Sequence, residues 1–200
     1  MKTIWIYLKV IAAVIVLSVI LYFVGGKELR YSEVVKELQR AEDILPDPKS
    51  GTVIEQQVSV PMDELNSVSL RPFTYGRENT GTLDIQLLDG DGKPVMSQQM
   101  SASDCRDDAP YVIHLAKGIP VKRNSLYTLR IVLYEKQGLN PTFYYSAYEE
   151  GAEENGNLTI DGVPVDGELA VGMDGLKEQI PGSYYWMAVV LVVIAVIIYM

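Results

Sequence analysis

The sequence has very few of the residues on which many catalytic and metal sites depend. Among its 200 residues there is one cysteine, Cys105, and one histidine, His114. A single cysteine cannot close a disulfide within the chain, and a single histidine cannot build a His-rich metal site. No Ser-His-Asp or Cys-His arrangement can be argued, and no spacing among the acidic residues selects a catalytic pair. The sequence therefore predicts a non-enzymatic protein without catalytic residues or a bound cofactor.

Positive charge is scarce as well. Lysine and arginine together number 17 against 26 aspartates and glutamates, which gives a formal net charge of −9 at pH 7. Binding to nucleic acid requires a basic face, so we exclude nucleic acid as a partner. The acidic character and the lack of an internal disulfide are compatible with a bacterial exterior as well as with the cytosol.

The sequence does contain two long apolar blocks. Ile4 to Val24 reads IWIYLKVIAAVIVLSVILYFV, with Lys9 as its only charge, and has about the length that a helix needs to cross ~30 Å of hydrocarbon. Tyr184 to Met200 reads YYWMAVVLVVIAVIIYM and begins with aromatic residues that suit a membrane interface. We predict transmembrane helices within residues 1–26 and 184–200. A cleaved signal peptide is the alternative for the first block, although the block is longer than the apolar h-region of a typical signal peptide.

The pattern after the first block is typical of a short amphipathic helix. Tyr31 to Leu45 reads YSEVVKELQRAEDIL, with Ser32 placed as an N-cap and two prolines directly after the pattern. We predict a juxtamembrane helix and linker over residues 27–48. The apolar positions at helical spacing are Val34, Leu38, Ala41 and Leu45.

From Gly51 onward the apolar residues recur with period two, and turn signals separate the segments. We predict about nine antiparallel strands, the number expected of a sandwich, within a domain of residues 49–175 that a linker of residues 176–183 follows. The predicted fold class is all-β, a jelly-roll-like antiparallel β-sandwich flanked by two transmembrane helices. The ten segments from which this estimate of the strands comes are Thr52–Val60, Asn66–Phe73, Thr82–Leu88, Pro94–Met100, Tyr111–Leu115, Ser125–Tyr134, Thr142–Tyr148, Leu158–Ile160, Val163–Val165 and Glu168–Val171.

The acidic loops leave a bound Ca²⁺ ion open as an alternative to a domain without metal. Asp89, Asp91 and Gly92 resemble the start of a Ca²⁺ loop, but the third acidic position and the bidentate glutamate are missing, so we predict a hairpin turn. We interpret the other acidic residues as solvated loop charge, and a Ca²⁺ site built by loops at one end of the sandwich stays as the alternative. Those residues are Asp104, Asp107, Asp108, Glu149, Glu150, Glu153 and Glu154.

The stretch TYGRENTGTL, residues 74–83, raises the question of a binding site. Turn chemistry accounts for Gly76, Gly81 and Asn79, whereas Arg77 either locks the connection through a carboxylate or offers its donors to a sugar hydroxyl or an anionic glycan. Thirteen tyrosines occur, and amphipathic rings suit both sugar binding and the rim of a core. The candidate ligand-binding residues are Tyr75, Arg77, Asn79, Tyr144 and Tyr145.

Three stretches resemble a known kind of domain: TYGRENTGTLDIQLLDGDGKPV, YTLRIVL and GNLTIDGVPVDGELAVGM. Together they are similar to the extracytoplasmic β-sandwich domain of bacterial multi-span membrane proteins of surface-polysaccharide assembly, including membrane glycosyltransferases. The resemblance covers Thr52 to Met173 and implies that the sandwich lies outside the cytoplasmic membrane. The chain has no room for a multi-span catalytic unit, so the resemblance does not extend to glycosyltransferase activity.

These observations predict a non-catalytic module of the cytoplasmic membrane with its central domain extracytoplasmic. The resemblance implies that it binds, or is accessory to, cell-surface polysaccharide or its assembly machinery. The predicted partners are the lipid bilayer, a cell-surface glycan and a membrane protein. Two alternatives remain: a structural protein-interaction domain, and the N-terminal part of a larger membrane glycosyltransferase. The second alternative expects the chain to continue past Met200, because no Lys or Arg follows the second apolar block.

Overall fold

The structure is a computed structural model, and it describes residues 2–24, 31–107, 109–134, 139–148, 158–179, 186, 189–191 and 193–194, without the side chains of residues 2, 3, 17, 21, 22 and 24. The chain divides into two compact units, one of residues 33–176 and one of residues 1–32 with 177–200. The second unit contains the long helix α1 (Lys2–Val24).

A 3-10 helix covers Ala102–Asp104. The strands are β1 (Tyr31–Lys36), β2 (Asp43–Ile44), β3 (Val53–Val60), β4 (Glu64–Leu70), β5 (Pro72–Phe73), β6 (Thr82–Leu88), β7 (Pro94–Ser101), β8 (Tyr111–Pro120), β9 (Ser125–Tyr134), β10 (Thr142–Ser146), β11 (Leu158–Ile160), β12 (Val163–Val165), β13 (Glu168–Leu169) and β14 (Val171–Glu178).

The strands of the described ranges form three sheets. A six-stranded sheet has the order β12-β11-β3-β9-β6-β7, a four-stranded sheet has the order β1-β14-β4-β8, and a smaller sheet has the order β13-β10-β2 with β5 also paired to β10. Every pairing whose register is described is antiparallel. Neighbours in a sheet are far apart in sequence at several points, so the order of strands depends on long-range contacts.

The central strands form because every second residue is apolar and buried. In β6 the side chains of Leu83, Ile85 and Leu87 are fully buried, while the residues between them are half-exposed. Ile85 pairs with Ile131 of β9, so apolar side chains from both strands lie on one face. The predicted bounds of β6, β9, β11 and β12 are confirmed.

The faces of the three sheets share one hydrophobic core. Leu129 of β9, Leu65 of β4, Phe143 of β10 and Met173 of β14 belong to a single cluster of buried side chains. Apolar faces of antiparallel sheets pack in this way in a β-sandwich, so the predicted sandwich is confirmed at that level. The strand β14 continues through Glu178, past the predicted end of the domain at residue 175.

The prediction that two transmembrane helices flank the sandwich is wrong. No helix in the described part of the chain combines the length and the hydropathy that a membrane span requires. Of the second apolar block, only residues 186, 189–191 and 193–194 are described, as short helical pieces, and the rest lies outside the described residues. The fold class is therefore corrected to sandwich-like antiparallel sheets with α1 as the long helix of the described ranges.

The predicted amphipathic helix over Tyr31 to Leu45 is also wrong. The first six of these residues form β1 beside β14, and Asp43–Ile44 form β2 beside β10. Ala41 and Leu45, at helical spacing in the sequence, are both 1% exposed, and Leu45 N donates to Phe143 O at 3.1 Å. Pairing with strands that are distant in sequence satisfies the backbone and buries the apolar residues, and this overrides a local helical pattern.

Candidate functional site

The loop between β5 and β6 begins with a tight turn that places a tyrosine in an unusual backbone conformation. Tyr75 has φ of 59° and Gly76 has φ of 65°, and Arg77 N donates to Thr74 O at 3.3 Å. Two successive positive φ angles closed by this hydrogen bond are the pattern of a type I′ turn. A residue with a Cβ is strained there, so the position of the Tyr75 ring is imposed by the surrounding structure.

Asp107, from the loop after the 3-10 helix, holds this turn. Its carboxylate accepts hydrogen bonds from Thr74 N and from Gly76 N, the second at 3.1 Å. Partial burial by itself would raise the pKa of Asp107, but the donors from Thr74 and Gly76 outweigh it and lower the pKa below its ordinary value. The sequence indicated only solvated charge at Asp107, because the loop that it binds lies about 30 residues earlier in the chain, a separation that local patterns do not report.

The lowered pKa of Asp107 predicts an acid-dependent contribution to stability. The folded state favours the carboxylate, so the contribution is present above the unfolded pKa of about 3.9 and is lost as the pH falls through the lower folded value. We expect Asp107→Asn to reduce the free energy of unfolding near neutral pH and to weaken its decline below about pH 4. Urea denaturation across that range measures both effects. The control is Asp91→Asn at an exposed carboxylate, and equal acid declines for wild type and Asp107→Asn would contradict the assignment.

Arg77 takes the locking role that the sequence left as one of two alternatives. Its Nη2 lies 2.8 Å from Asp47 Oδ1 and donates to Asn140 O at 3.1 Å. Its guanidinium carbon lies 4.6 Å from the centroid of the Tyr75 ring. With 29% of its side chain exposed, Arg77 joins the turn to two other segments and still reaches the surface.

Asn79 has a different role from the turn chemistry that its sequence position suggested. Tyr75 and Gly76 occupy the positive φ positions, whereas Asn79 is only 3% exposed. Its amide lies between two pairs of main-chain oxygens, those of Thr74 and Arg77 at 3.3 Å on one side and those of residues 139 and 140 at 3.1 and 3.0 Å on the other. In either orientation the amide nitrogen donates to one pair. We therefore assign Asn79 a structural role beneath the site.

A row of aromatic and arginine side chains lies on the smaller sheet and the adjoining loop. The ring of Phe73 lies edge to face with those of Tyr75 and Tyr144, with centroids 4.8 and 5.5 Å apart. The guanidinium carbon of Arg71 lies 4.2 Å from the centroid of the Tyr144 ring, and Arg77 covers Tyr75 at the other end. We call Arg71, Phe73, Tyr75, Arg77 and Tyr144 the aromatic–arginine row. None of the five is fully buried.

The row unites three of the five predicted candidate residues and adds two. Arg71, Phe73 and Tyr75 alternate along the chain, and this period-two spacing was a signal that could have placed them on one side. Tyr145 is not part of the row, because it pairs with Leu169 and packs against the core. Adjacent residues of a strand point to opposite faces, so Tyr144 and Tyr145 cannot both serve the row.

A cleft of about 760 Å³ opens beside the turn. Arg77 and Asn79 line it together with Arg106 and Asp107, so the cleft contains both positive and negative groups. Cys105 also lines it but is 3% exposed, and burial first, with Asp104 second, raises the pKa of its thiol to about 12 against the opposing effect of Arg106. Such a thiol stays protonated near neutral pH, so the cleft lacks a nucleophilic thiolate.

The predicted hairpin at Asp89 to Gly92 is confirmed. Asp89 Oδ1 accepts hydrogen bonds from the backbone N–H groups of Asp91 and Lys93 at 3.0 and 2.9 Å, and Gly92 has φ of 76°. Within the described ranges, no group of three or more His, Cys, Asp or Glu side chains is placed to hold a metal ion. Asp108 and the glutamates at 149, 150, 153 and 154 lie outside the described residues.

Comparison with known proteins adds no assignment. No family model matches the chain, and no curated protein matches it significantly. The geometry of the site therefore carries the functional argument.

Proposed function

We propose that the sandwich is a non-catalytic carbohydrate-binding module that acts on the extracytoplasmic side and contacts cell-surface polysaccharide during or after its assembly. The aromatic–arginine row is the observation that carries the proposal. The resemblance of the strand and turn sequences to domains of surface-polysaccharide assembly supports the same class of ligand.

The chemistry of the row suits a sugar. A pyranose presents an apolar C–H surface surrounded by hydroxyls, and aromatic rings with polar neighbours complement both parts. Tyr75 is 37% exposed, and partial burial followed by the negative charge of Asp47 raises the pKa of its phenol against the effect of Arg77. The phenol therefore keeps its proton near neutral pH and can donate it to a sugar hydroxyl. A row held together by stacking is also rigid, which limits the entropy lost on binding.

Two ring deletions test the proposal. We expect Tyr75→Gly and Tyr144→Ala each to weaken binding of a surface polysaccharide about tenfold, because each removes a stacking ring worth on the order of 1 kcal/mol or more. Binding of the full chain is measured against a panel of neutral and acidic bacterial polysaccharides by isothermal titration calorimetry. The control is Tyr134→Ala, which removes an exposed tyrosine of β9 outside the row.

Tyr75→Gly separates binding from folding. Glycine relieves the positive φ of position 75, which offsets the lost contacts with Phe73 and Arg77, so its stability should stay within about 1 kcal/mol of wild type. A stable Tyr75→Gly variant that binds as tightly as wild type would contradict the row as the site. Failure of the wild type to bind any polysaccharide in the panel would overturn the carbohydrate proposal and favour the protein-interaction alternative.

A further inference from the structure

Arg71 stands at one end of the aromatic–arginine row and is held in place by uncharged groups. Its guanidinium stacks on the Tyr144 ring at 4.2 Å, and its Nη1 donates to the main-chain oxygen of Ala41 at 2.9 Å. The two main chains are joined as well, because Tyr144 N donates to Arg71 O at 2.9 Å. The cation is therefore positioned before any ligand arrives.

The charge of Arg71 is not neutralised within the described part of the chain. There, no carboxylate lies within ion-pair distance of its guanidinium, whereas Arg77 at the other end of the row pairs with Asp47. A guanidinium has five N–H donors in a planar fork, and the contact with Ala41 accounts for one of them. Since Arg71 is only half-buried, the remaining donors can meet a ligand at the surface.

We propose that Arg71 binds a carboxylate carried by the saccharide, so that the ligand of the row is an acidic, uronate-containing polysaccharide. This inference rests on the proposed function, because it requires that the row holds a sugar. A carboxylate matches the guanidinium fork with two parallel hydrogen bonds, which a neutral hydroxyl cannot do. The neighbouring sugar units then lie against Phe73 and Tyr75, while Arg77 stays committed to Asp47.

The two arginines at the ends of the row differ in whether their positive charge is already paired, and this difference explains why Arg71 is the proposed carboxylate-binding residue. Arg77 already has a carboxylate partner, so it has little left for an acidic ligand, whereas Arg71 has a fixed orientation and no carboxylate partner among the described residues. The net charge of −9 repels polyanions at long range, so a local cation is needed to select one.

The experiment compares matched pairs of polymers. The full chain is titrated with polygalacturonate, polyglucuronate and polymannuronate, and with each polymer after its carboxyl groups have been reduced to alcohols. We expect at least one acid form to bind about ten- to a hundredfold more tightly than its reduced partner, as one charge-assisted contact implies. We expect Arg71→Gln to abolish that difference and Arg71→Lys to restore part of it. The control is Arg130→Gln, which removes the same charge from an arginine that pairs with Glu55.

Each outcome decides the inference separately from the proposed function. The inference is overturned if acid and reduced forms bind equally, or if a preference for the acid form survives in Arg71→Gln. Equal binding would leave a carbohydrate-binding module that recognises uncharged groups of the saccharide. Absence of binding to every acid form also overturns the inference, while binding of neutral polysaccharides in the earlier panel keeps the proposed function. Equal losses in Arg71→Gln and Arg130→Gln would show an effect of overall charge and would likewise overturn it.

Discussion

The variant Asn79→Asp is expected to lose about 3 kcal/mol of stability at neutral pH, as for a buried charge that faces more acceptors than donors. The Asn79 amide lies among four main-chain oxygens and is 3% exposed. A carboxylate has no N–H to donate to them, and its charge faces the negative ends of carbonyl dipoles. Arg77 Nε donates to Asn79 Oδ1 at 3.5 Å, but the guanidinium also pairs with Asp47, so it offsets only part of the cost.

The pH dependence of Asn79→Asp provides a second test. The oxygens around the new carboxyl favour its protonated form, so its folded pKa should lie above its unfolded value. The variant should therefore be least destabilised below the unfolded pKa of about 3.9, with the loss growing as the pH rises through the folded pKa. Urea denaturation at several pH values measures this trend.

Two control variants separate charge from the loss of hydrogen bonds in this test. Asn79→Ala removes the same donors without adding a charge, so we expect a loss of about 1 to 2 kcal/mol that does not depend on pH. Asn124→Asp makes the same chemical change at an exposed residue and should alter stability by less than about 0.5 kcal/mol. If Asn79→Asp matched the stability of wild type at neutral pH, the described surroundings of the amide would be wrong.

Phe143→Ala is expected to cost about 3 to 5 kcal/mol, the range for removing a buried aromatic side chain. Phe143 is 1% exposed and belongs to the cluster that unites the three sheets. Its main-chain oxygen also accepts the hydrogen bond from Leu45 N at 3.1 Å. Leu45 belongs to the same cluster, and residues 43–44 pair with the strand that carries Phe143, so the segment of residues 43–45 should lose protection in hydrogen exchange first.

The measurement for Phe143 is equilibrium urea denaturation, followed by hydrogen exchange on the same samples. Phe143→Leu keeps most of the apolar volume and should lose roughly 1 kcal/mol. Tyr134→Ala, at an exposed aromatic residue, should stay within about 0.5 kcal/mol of wild type. A small loss in Phe143→Ala together with unchanged protection of residues 43–45 would show that the smaller sheet does not depend on this ring.

The strands of the sandwich were predictable wherever a strand buries one face and exposes the other to solvent. β6 and β9 show this alternation over their whole length, and their observed bounds equal the predicted ones. The turn at Asp89 was predictable for a similar reason, since its hydrogen bonds join residues four or fewer positions apart. Each of these features is encoded locally, so a single sequence is enough to find it.

The segment of residues 31–45 was not predictable from its own pattern. Its apolar spacing is helical, but its strands form because distant partners, β14 and β10, supply the backbone hydrogen bonds. The two predicted spans likewise came from the composition of contiguous windows, and the described helices do not meet the requirements of a span. Local propensity is a weak prior, and tertiary pairing decides such segments.

The candidate site shows the same division. The sequence by itself marked Tyr75 and Arg77, which stand in a glycine-containing turn, and Tyr144, which belongs to a cluster of tyrosines. It could not show that Phe73 links the two tyrosines, that Asp107 holds the turn, or that Asp47 neutralises Arg77. The contacts of Tyr144, Asp107 and Asp47 with this loop and strand join segments that lie about 30 to 70 residues apart. Sequence periodicity reports only on neighbours along the chain. The sequence determined the strands that alternate buried and exposed residues, such as β6 and β9, together with the hairpin turn and the residue types available to the site. Only the tertiary structure decided which of those residues meet, because long-range strand pairing brings them together.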